Sequence, residues 1–519
     1  MCGILFTNYK SVTNKSFNKA LKLMNHRGPD YQNSVEVNGS YMGHNRLSVI
    51  DLNHRSNQPF SREKLHIIYN GELYNYQELT KRFKLNVKTS SDTEVVLLMY
   101  QKLGPKCLNY FNGMFAFVIY DENTDDIFVA RDRLGIKPLY YNIKGKNLLF
   151  SSEIAPILEI SPEEFDDFGI RQYRKLRMTV KNYTVYNNIK FFPAGHYWLN
   201  GRMYKYWDLC IDDREPPSDE ELSELIKSAV IARKVSDVPV GSYLSGGLDS
   251  TILSYILKPT HTWTVGFPEV NEFEWGSLAN QGLGSIHHQT IVDSSEFIET
   301  AKWMINKRKE PLSVPNEVLL YLMTLEVKKS NTVVLSGEGA DELFFGYHRV
   351  FNWAYRSNKL DLDEFDKKYC YGTNQDDEVL DFALEGIDGK TVLDKIAYFF
   401  QIDHLHGLLR RLDNSTMLCG VEARVPFVDH RLVEMVAGCP FDWRMGKSFK
   451  EPLKRIFKDT IPKEIIDRDK VGFAVDLRTM FKTEGKTPMD SWLEFNLDVL
   501  SDISKKNFLS SKSNYEKKI

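Results

Sequence analysis

The sequence predicts a two-domain protein of the mixed α/β class, α+β overall. In the first half, short apolar runs at residues 65–69, 114–120 and 126–130 are separated by turns and predict strands. In the second half, strand-like and helix-like runs alternate, as a parallel sheet with covering helices requires, before the chain becomes mainly helical. A polar, proline-bearing segment at residues 212–217 lies between the two halves.

This segment places the domain boundary. Residues 206–208 end the first domain, and Ser218 with Glu221 forms the capping-box pattern of a helix start. Apolar residues at helical spacing follow, namely Leu222, Leu225, Ile226 and Ala229. The predicted domains are therefore residues 1–208 and residues 218–519.

Three runs in the second half predict strands, at residues 238–244, 261–267 and 332–335, and the first of them is predicted to be buried. The first run enters a glycine turn at residues 245–247, before an apolar helix that begins near Thr251. Strand, glycine turn and helix N-terminus make a phosphate-binding geometry, because glycines let the backbone approach an anion that the helix dipole favours.

Composition narrows the class of protein. The chain has 519 residues and a formal net charge of -3, and no basic tract alternates with aromatic residues, so no nucleic-acid partner is expected. Its six cysteines show no C-x-x-C spacing, which favours reduced thiols in a cytoplasmic protein and argues against a zinc site. The sequence contains neither a signal-like segment nor an apolar run of about 18 residues, so no membrane partner is expected.

Cys2 is the most informative residue of the first domain. Removal of Met1 would leave a thiol and a free α-amine on one carbon. The α-amine titrates near pH ~7.7 to 8.0, so it can take the proton of the thiol without help from a histidine.

Four motifs follow Cys2: residues 26–30 (HRGPD), 46–49 (RLSV), 69–75 (YNGELYN) and 91–94 (SDTE). Together they resemble the glutamine amidotransferases of the N-terminal-nucleophile (Ntn) type, over roughly the first 200 residues. The resemblance implies an αββα Ntn-hydrolase sandwich with Cys2 at a strand end. His26 is interpreted as a structural residue of a loop.

A site that hydrolyses glutamine must hold a zwitterion and stabilise an oxyanion. Arg46 can bind the α-carboxylate through two N–H groups, and Asp92 with the Glu72 region can accept hydrogen bonds from the α-ammonium. Asn70-Gly71 is interpreted as a turn whose amide and backbone N–H form the oxyanion hole, an ordinary hairpin turn being the alternative. The predicted glutamine-binding residues are Arg46, Leu47, Val49, Asn70, Gly71, Glu72 and Asp92.

In the second domain, residues 245–250 (SGGLDS) lack the lysine of a Walker-type loop and resemble the pyrophosphate-binding (PP) loop of ATP pyrophosphatases. Asp249 and Asp341 each follow a glycine-bearing turn, so we expect them to bind Mg²⁺ beside the phosphates; the alternative is that both only cap helices. The predicted ATP-binding residues are Tyr243, Ser245, Gly246, Gly247, Asp249, Ser250, Val265, Ser336 and Gly337.

Asp413, Met417, residues 422–430 and residues 450–454 complete a pattern that resembles the asparagine synthetase family across nearly the whole chain. The resemblance implies that Lys450 neutralises the phosphates and that Glu338 takes a proton from attacking ammonia. It also implies that Arg468, Lys470, Gly472 and Phe473 approach the phosphates. With Cys2, Asn70 and Gly71, the predicted catalytic residues are therefore Glu338 and Lys450.

The predicted function is a glutamine-dependent, ATP-consuming amidotransferase with Mg²⁺ as cofactor. Its default acceptor is L-aspartate, and a sugar uronic acid is the alternative, because residues 310–317 (EPLSVPNE) resemble amidotransferases associated with surface polysaccharides. Two other hypotheses are a regulatory paralogue without catalysis and a synthetase that uses only free ammonia. Intact Cys2, Asp249, Asp341 and Lys450 argue against the first, and Cys2 with its glutamine pocket argues against the second. The sequence leaves the oligomeric state open, with a homodimer as one alternative.

Overall fold

The computed structural model describes residues 2–447, 449–468, 475, 477–478, 480–481 and 486–516, with side chains to residue 502. Lys470, Gly472 and Phe473 lie outside the described residues. No helix within the described ranges is long and apolar enough to cross a membrane.

The first domain is built on two antiparallel sheets. Its strands are β1 (Gly3–Thr7), β2 (Tyr31–Val37), β3 (Ser40–Arg46), β4 (Phe60–Arg62), β5 (Leu65–Leu73), β6 (Gly113–Asp121), β7 (Asp126–Arg131), β8 (Tyr140–Lys144), β9 (Asn147–Ser151), β10 (Lys190–Phe191), β11 (His196–Leu199) and β12 (Arg202–Lys205). One sheet has the order β10-β8-β9-β1-β3-β2, and the other has the order β12-β11-β7-β6-β5-β4.

The helices of this domain are α1 (Asn14–Lys22), α2 (Tyr76–Phe83), α3 (Asp92–Leu103), α4 (Ile154–Ile160) and α5 (Asp167–Leu176). Apolar side chains of both sheets, including Ile4, Phe6, Ile68 and Val118, form one buried layer between them. Helices α1 and α4 pack on the first sheet, and α2 and α3 pack on the second. The αββα sandwich is therefore confirmed.

The helix that opens the second domain, α6 (Asp219–Ala232), begins where the sequence predicts. Ser218 accepts a hydrogen bond from the backbone of Glu221, whose side chain in turn accepts from the backbone of Ser218. Residues 209–217 before it have no regular secondary structure. The predicted capping box is therefore confirmed.

The second domain contains a parallel sheet, and the three predicted strands belong to it. The strands are β13 (Val240–Tyr243), β14 (His261–Gly266), β15 (Ile286–Ile291), β16 (Val333–Leu335) and β17 (Glu422–Arg424), in the order β15-β14-β13-β16-β17. The described helices around and after the sheet are α7 (Leu248–Leu257), α8 (Phe273–Gln281), α9 (Ser294–Arg308), α10 (Asn316–Lys328), α11 (Ala340–Leu343), α12 (His348–Arg356), α13 (Leu362–Tyr369), α14 (Asp377–Leu384), α15 (Val392–Phe399), α16 (Leu405–Met417), α17 (His430–Val436), α18 (Phe441–Met445), α19 (Glu451–Phe457), α20 (Lys463–Asp467) and α21 (Pro488–Glu516).

Strand direction brings two turns of the second domain together. Strands β13 and β16 are parallel neighbours, so the turns that follow them lie at the same edge of the sheet. A Cβ atom built on Gly337, after β16, would lie 3.1 Å from the Cβ of Asp249, after β13. This close approach positions the second candidate site.

Two candidate active sites and the interface between them

Cys2 lies immediately before β1 and is held by its main chain. Its backbone nitrogen donates to Asn70 Oδ1 at 2.9 Å, and its carbonyl oxygen accepts from Arg27 Nε at 3.0 Å. Cys2 is only 7% exposed, and burial raises the pKa of its thiol, while the positive charge of Arg46 opposes that shift. A thiol in this environment needs an adjacent base to become a nucleophile.

Asn70 and Gly71 lie inside β5, so the prediction of a turn at this step is wrong. Strand β5 pairs with β6 along its whole length, and Gly71 opposes Phe115. A Cβ atom on Gly71 would lie 2.3 Å from the carbonyl oxygen of Met114, so close strand packing, and not a turn, requires the glycine. The Nδ2 of Asn70 is buried without a hydrogen-bond partner among the described residues. This N–H group remains available to an oxyanion.

Arg46, at the end of β3, holds the loop that follows it. Its Nη1 donates to the carbonyl oxygen of Asn53 at 2.9 Å and to Asn57 Oδ1 at 2.6 Å. Its Nη2 contacts main-chain oxygens of the same loop. Leu47 and Val49, after the strand, are buried. A contact between Arg46 and the carboxylate of glutamine stays a prediction.

The two acidic residues of the predicted glutamine pocket have different surroundings. Asp92 begins α3 and accepts from the Tyr69 hydroxyl and from the Leu73 N–H, both at 2.9 Å. Burial raises the pKa of Asp92 to about 6. Burial and the nearby charge of Glu422 raise the pKa of Glu72 well above its usual range, which favours its neutral form. Asp92 is therefore the better acceptor for an α-ammonium at neutral pH.

The predicted PP-loop connects β13 to α7. Gly246 has φ +73°, and a Cβ atom there would lie 2.3 Å from the main chain of Trp275, so both conformation and space favour glycine. Ser245 accepts from the N–H of Gly247 at 3.2 Å, and Gly247 precedes the first residue of α7. The loop therefore presents serine hydroxyls and the start of a helix to one point.

All predicted ATP residues except Gly246 line one cavity of about 570 Å³. Tyr243 is buried there and hydrogen-bonds Thr324 at 2.7 Å through its hydroxyl. Val265, on β14, lines the same cavity. Ser336 and Gly337 follow β16 and complete the edge beside the PP-loop.

Lys450 lies between the two predicted metal ligands. Its Nζ is 2.5 Å from Asp249 Oδ2 and 2.5 Å from Asp341 Oδ1. Burial lowers the pKa of Lys450, but the two carboxylates outweigh it and the pKa is raised. The carboxylates thus converge on one cationic point, which fits a magnesium ion whose remaining ligands are phosphate oxygens and waters. Within the described residues, no cluster of three or more His, Cys, Asp or Glu side chains could hold a metal by itself.

Glu338 points into the same cavity and is paired with Arg411 of α16. Arg411 Nη2 donates to Glu338 Oε1 at 2.6 Å, and Arg411 Nη1 donates to Asn316 Oδ1 at 3.2 Å. Burial lowers the pKa of Arg411, but the charge of Glu338 outweighs it and raises the pKa. The cavity therefore contains a fixed guanidinium beside the predicted proton acceptor.

The two candidate sites are joined by buried ion pairs across the domain interface. Arg27, in the HRGPD loop, donates to Glu153 Oε1 at 3.2 Å and to Asp413 Oδ2 at 2.9 Å. His26 also contacts Glu153, at 2.9 Å, so its structural interpretation fits this loop. Lys137 lies 3.5 Å from the second oxygen of Asp413.

A second contact joins the glutamine pocket to the edge of the parallel sheet. Arg424 Nη2 lies 3.6 Å from Glu72 Oε1, while Arg424 Nε donates to Glu422 Oε1 at 2.6 Å. The carbonyl oxygen of Arg424 accepts from the N–H of Ser336 at 2.9 Å. One residue thus touches both the predicted glutamine pocket and the predicted ATP edge.

Sequence reasoning missed Arg411 as a part of the site, and it included Arg424 in the motif at residues 422–430 without connecting it to Glu72. Glu338 and Glu72 are distant along the chain from these arginines, so no spacing in the sequence could have indicated either contact. The available signal was limited to their positions within the motif-bearing region that begins near Asp413.

Two family models match successive parts of the chain. A family model described as glutamine amidotransferase domain matches residues 1–207, and one described as asparagine synthase matches residues 221–510. A putative glutamine-hydrolysing asparagine synthetase of Methanocaldococcus jannaschii is 34% identical over 68% of this chain and 76% of its own. Glutamine-hydrolysing asparagine synthetase 3 of Bacillus subtilis is 29% identical over 91% of this chain and 86% of its own. Glutamine-hydrolysing asparagine synthetase B of Escherichia coli is 28% identical over 87% of this chain and 77% of its own.

Proposed function

We propose that this chain, which belongs to the asparagine synthase family of glutamine-hydrolysing ligases, couples glutamine hydrolysis to the amidation of a carboxylate through an acyl adenylate. The proposed acceptor is L-aspartate, which gives L-asparagine, AMP and pyrophosphate. The observation that carries the proposal is the convergence of Asp249, Asp341 and Lys450 in the cavity that also contains Glu338.

The first half-reaction belongs to Cys2. After removal of residue 1, its nitrogen is the α-amine that takes the thiol proton. The sulfur attacks the side-chain amide carbon of glutamine, and Nδ2 of Asn70 donates to the oxyanion. Ammonia leaves, and water hydrolyses the resulting thioester to glutamate. Arg46 and Asp92 would hold the α-carboxylate and the α-ammonium.

The second half-reaction belongs to the cavity of the second domain. The acceptor carboxylate attacks the α-phosphorus of ATP, which forms the acyl adenylate and releases pyrophosphate. Lys450 would leave its two carboxylates to pair with the phosphates, and residues of the PP-loop would hold the departing pyrophosphate. Asp249 and Asp341 would hold Mg²⁺, which when bound neutralises phosphate charge. Glu338 then takes a proton from ammonia as it attacks the adenylate, and AMP leaves.

Passage of ammonia between the sites follows from its chemistry. Ammonia released to water near neutral pH is protonated and loses its nucleophilicity, so delivery across the interface preserves it. The buried contacts of Arg27, Asp413 and Lys137 keep the two domains in register for that delivery.

The test is product analysis with glutamine, MgATP and one candidate acid at a time. We expect AMP and pyrophosphate in equal amounts, and an amide one dalton lighter than its acid, with aspartate. ADP and orthophosphate as first products would contradict adenylation. Turnover with a sugar uronic acid and none with aspartate would replace the proposed acceptor, and absence of turnover with every acid would favour a regulatory paralogue.

A further inference from the structure

Arg411 occupies a central position in the synthetase cavity. It projects from α16, its side chain is 11% exposed, and it lines the cavity together with Asn316, Glu338 and Lys450. Its Nε is buried without a hydrogen-bond partner among the described residues, while Nη1 and Nη2 bind Asn316 and Glu338. The guanidinium plane is thus fixed by an amide on one side and a carboxylate on the other.

The pairing conflicts with the role of Glu338 as proton acceptor. Glu338 Oε1 accepts a charge-assisted hydrogen bond from Arg411 at 2.6 Å, so the guanidinium competes with ammonia for this oxygen. The structure therefore shows Glu338 with one of its two carboxylate oxygens engaged. Displacement of Arg411 would free that oxygen for ammonia.

The other lysines and arginines that line the cavity have different contacts. Arg177 donates to the carbonyl oxygen of Tyr369, Lys368 pairs with Glu364, and Lys454 lies over the Phe449 ring. Lys450 holds Asp249 and Asp341, and Arg468 holds Glu272 and the carbonyl oxygen of Gly246. Arg411 is the cation whose carboxylate partner is itself a predicted catalytic group. A second carboxylate in the cavity can replace Glu338 at the N–H edge of Arg411, because a guanidinium binds carboxylates in a two-pronged geometry.

We propose that Arg411 binds the non-reacting carboxylate of the acceptor and, by exchanging partners, releases Glu338 to take the proton of ammonia. For aspartate this is the α-carboxylate, while the β-carboxylate attacks ATP. Asn316 holds the guanidinium in place during the exchange. The inference rests on the proposed function, and it makes Arg411 the residue that couples acceptor recognition to the readiness of Glu338.

The exchange has a chemical consequence for selectivity. An acid that lacks the second carboxylate leaves Arg411 on Glu338, so its adenylate would meet an occupied proton acceptor. Aspartate and 3-aminopropanoate form a matched pair, because the latter is aspartate without its α-carboxylate. The wild-type enzyme should prefer aspartate in kcat/KM by roughly 10²-fold or more, since 3-aminopropanoate forgoes the charge-assisted contact with Arg411 and leaves Glu338 paired.

The experiment combines these two acids with Arg411→Ala, using free ammonia and MgATP and measuring amide by mass. We expect the variant to lose most of its activity with aspartate and to have a higher KM for aspartate. Its preference for aspartate over 3-aminopropanoate should fall to within a few-fold. Arg411→Lys should restore part of the preference. Glutaminase activity should stay unchanged in both variants.

Arg410→Ala is the matched control, because the neighbouring side chain contacts Thr179 and Phe191 instead of the cavity. It should keep the full preference for aspartate. An unchanged preference in Arg411→Ala, with asparagine formed by the wild type, would overturn the Arg411 assignment alone. No asparagine from the wild type would overturn the proposed acceptor and the assignment together.

Discussion

Arg27 of the first domain donates to Asp413 of the second at 2.9 Å, and both side chains are buried. The same guanidinium donates to the carbonyl oxygen of Cys2 at 3.0 Å. Asp413 lies two residues after Arg411 on α16. A single arginine and one helix therefore connect the main chain of the proposed nucleophile to the wall of the synthetase cavity.

Asp413→Ala should weaken both the fold and the coupling of the two activities. Arg27 would keep Glu153 but lose a buried carboxylate, and breaking such a pair costs about 3–5 kcal/mol. We expect the thermal midpoint to fall by about 5 °C or more. The ratio of glutamate formed to amide formed should also rise.

The control for this substitution is Glu159→Ala, which removes the partner of Lys19 in an exposed ion pair. It should change stability by about 1 kcal/mol or less. Equal effects of the two substitutions on the thermal midpoint and on the product ratio would argue against a coupling role for Asp413.

Asn70→Ala should slow glutamine hydrolysis while sparing the ammonia-dependent reaction. The Nδ2 group that we assign to the oxyanion would be lost, and removal of one such donor lowers kcat by about 10² to 10³-fold. Steady-state kinetics with both nitrogen sources measure the effect. Asn75→Ala is the control, because that amide contacts the main chain of Tyr110 and Asn112. A fall of less than tenfold in kcat for Asn70→Ala would remove it from the oxyanion hole.

Glutamine use should decline as the pH drops below about 6. Burial raises the pKa of Asp92 to about 6, and its ionised form is the one that accepts from an α-ammonium. The folded chain thus binds this proton more tightly than the unfolded chain, so the contribution of Asp92 to stability decreases as the pH rises from about 4 to 6. The kcat/KM for glutamine should fall as the pH drops through about 6. Its persistence in the residual activity of Asp92→Asn would contradict the assignment.

Lys450→Ala should suppress pyrophosphate release by roughly 10²-fold or more and leave glutaminase activity within a few-fold of wild type. Its ammonium is held between Asp249 and Asp341, where the phosphates of ATP are expected to arrive. Lys463→Ala removes an exposed lysine that pairs with Asp467, and it serves as control. A parallel loss of both activities in Lys450→Ala would instead indicate general unfolding.

The strands, the capping box at Ser218 and the convergence of Asp249 with Asp341 follow from local signals. Apolar periodicity marks strands, and parallel strands place their following turns at one edge of the sheet. The sequence predicts a turn at Asn70-Gly71 because Asn-Gly favours turns locally, whereas pairing with β6 decides the conformation here. The contacts of Arg411 with Glu338 and of Arg424 with Glu72 depend on tertiary packing, which periodicity does not report.

The most direct test of the two-site account is Cys2→Ala assayed with glutamine and with ammonia, using the same acceptor. Cys2 contacts Asn70 and Arg27 in the first domain, whereas Lys450, Asp249 and Asp341 lie in the second. We predict that glutamine-dependent amide formation disappears and that ammonia-dependent formation stays within a few-fold of wild type. Glutamine-dependent turnover that survives in Cys2→Ala, or a joint loss with both nitrogen sources in a folded protein, would contradict the account.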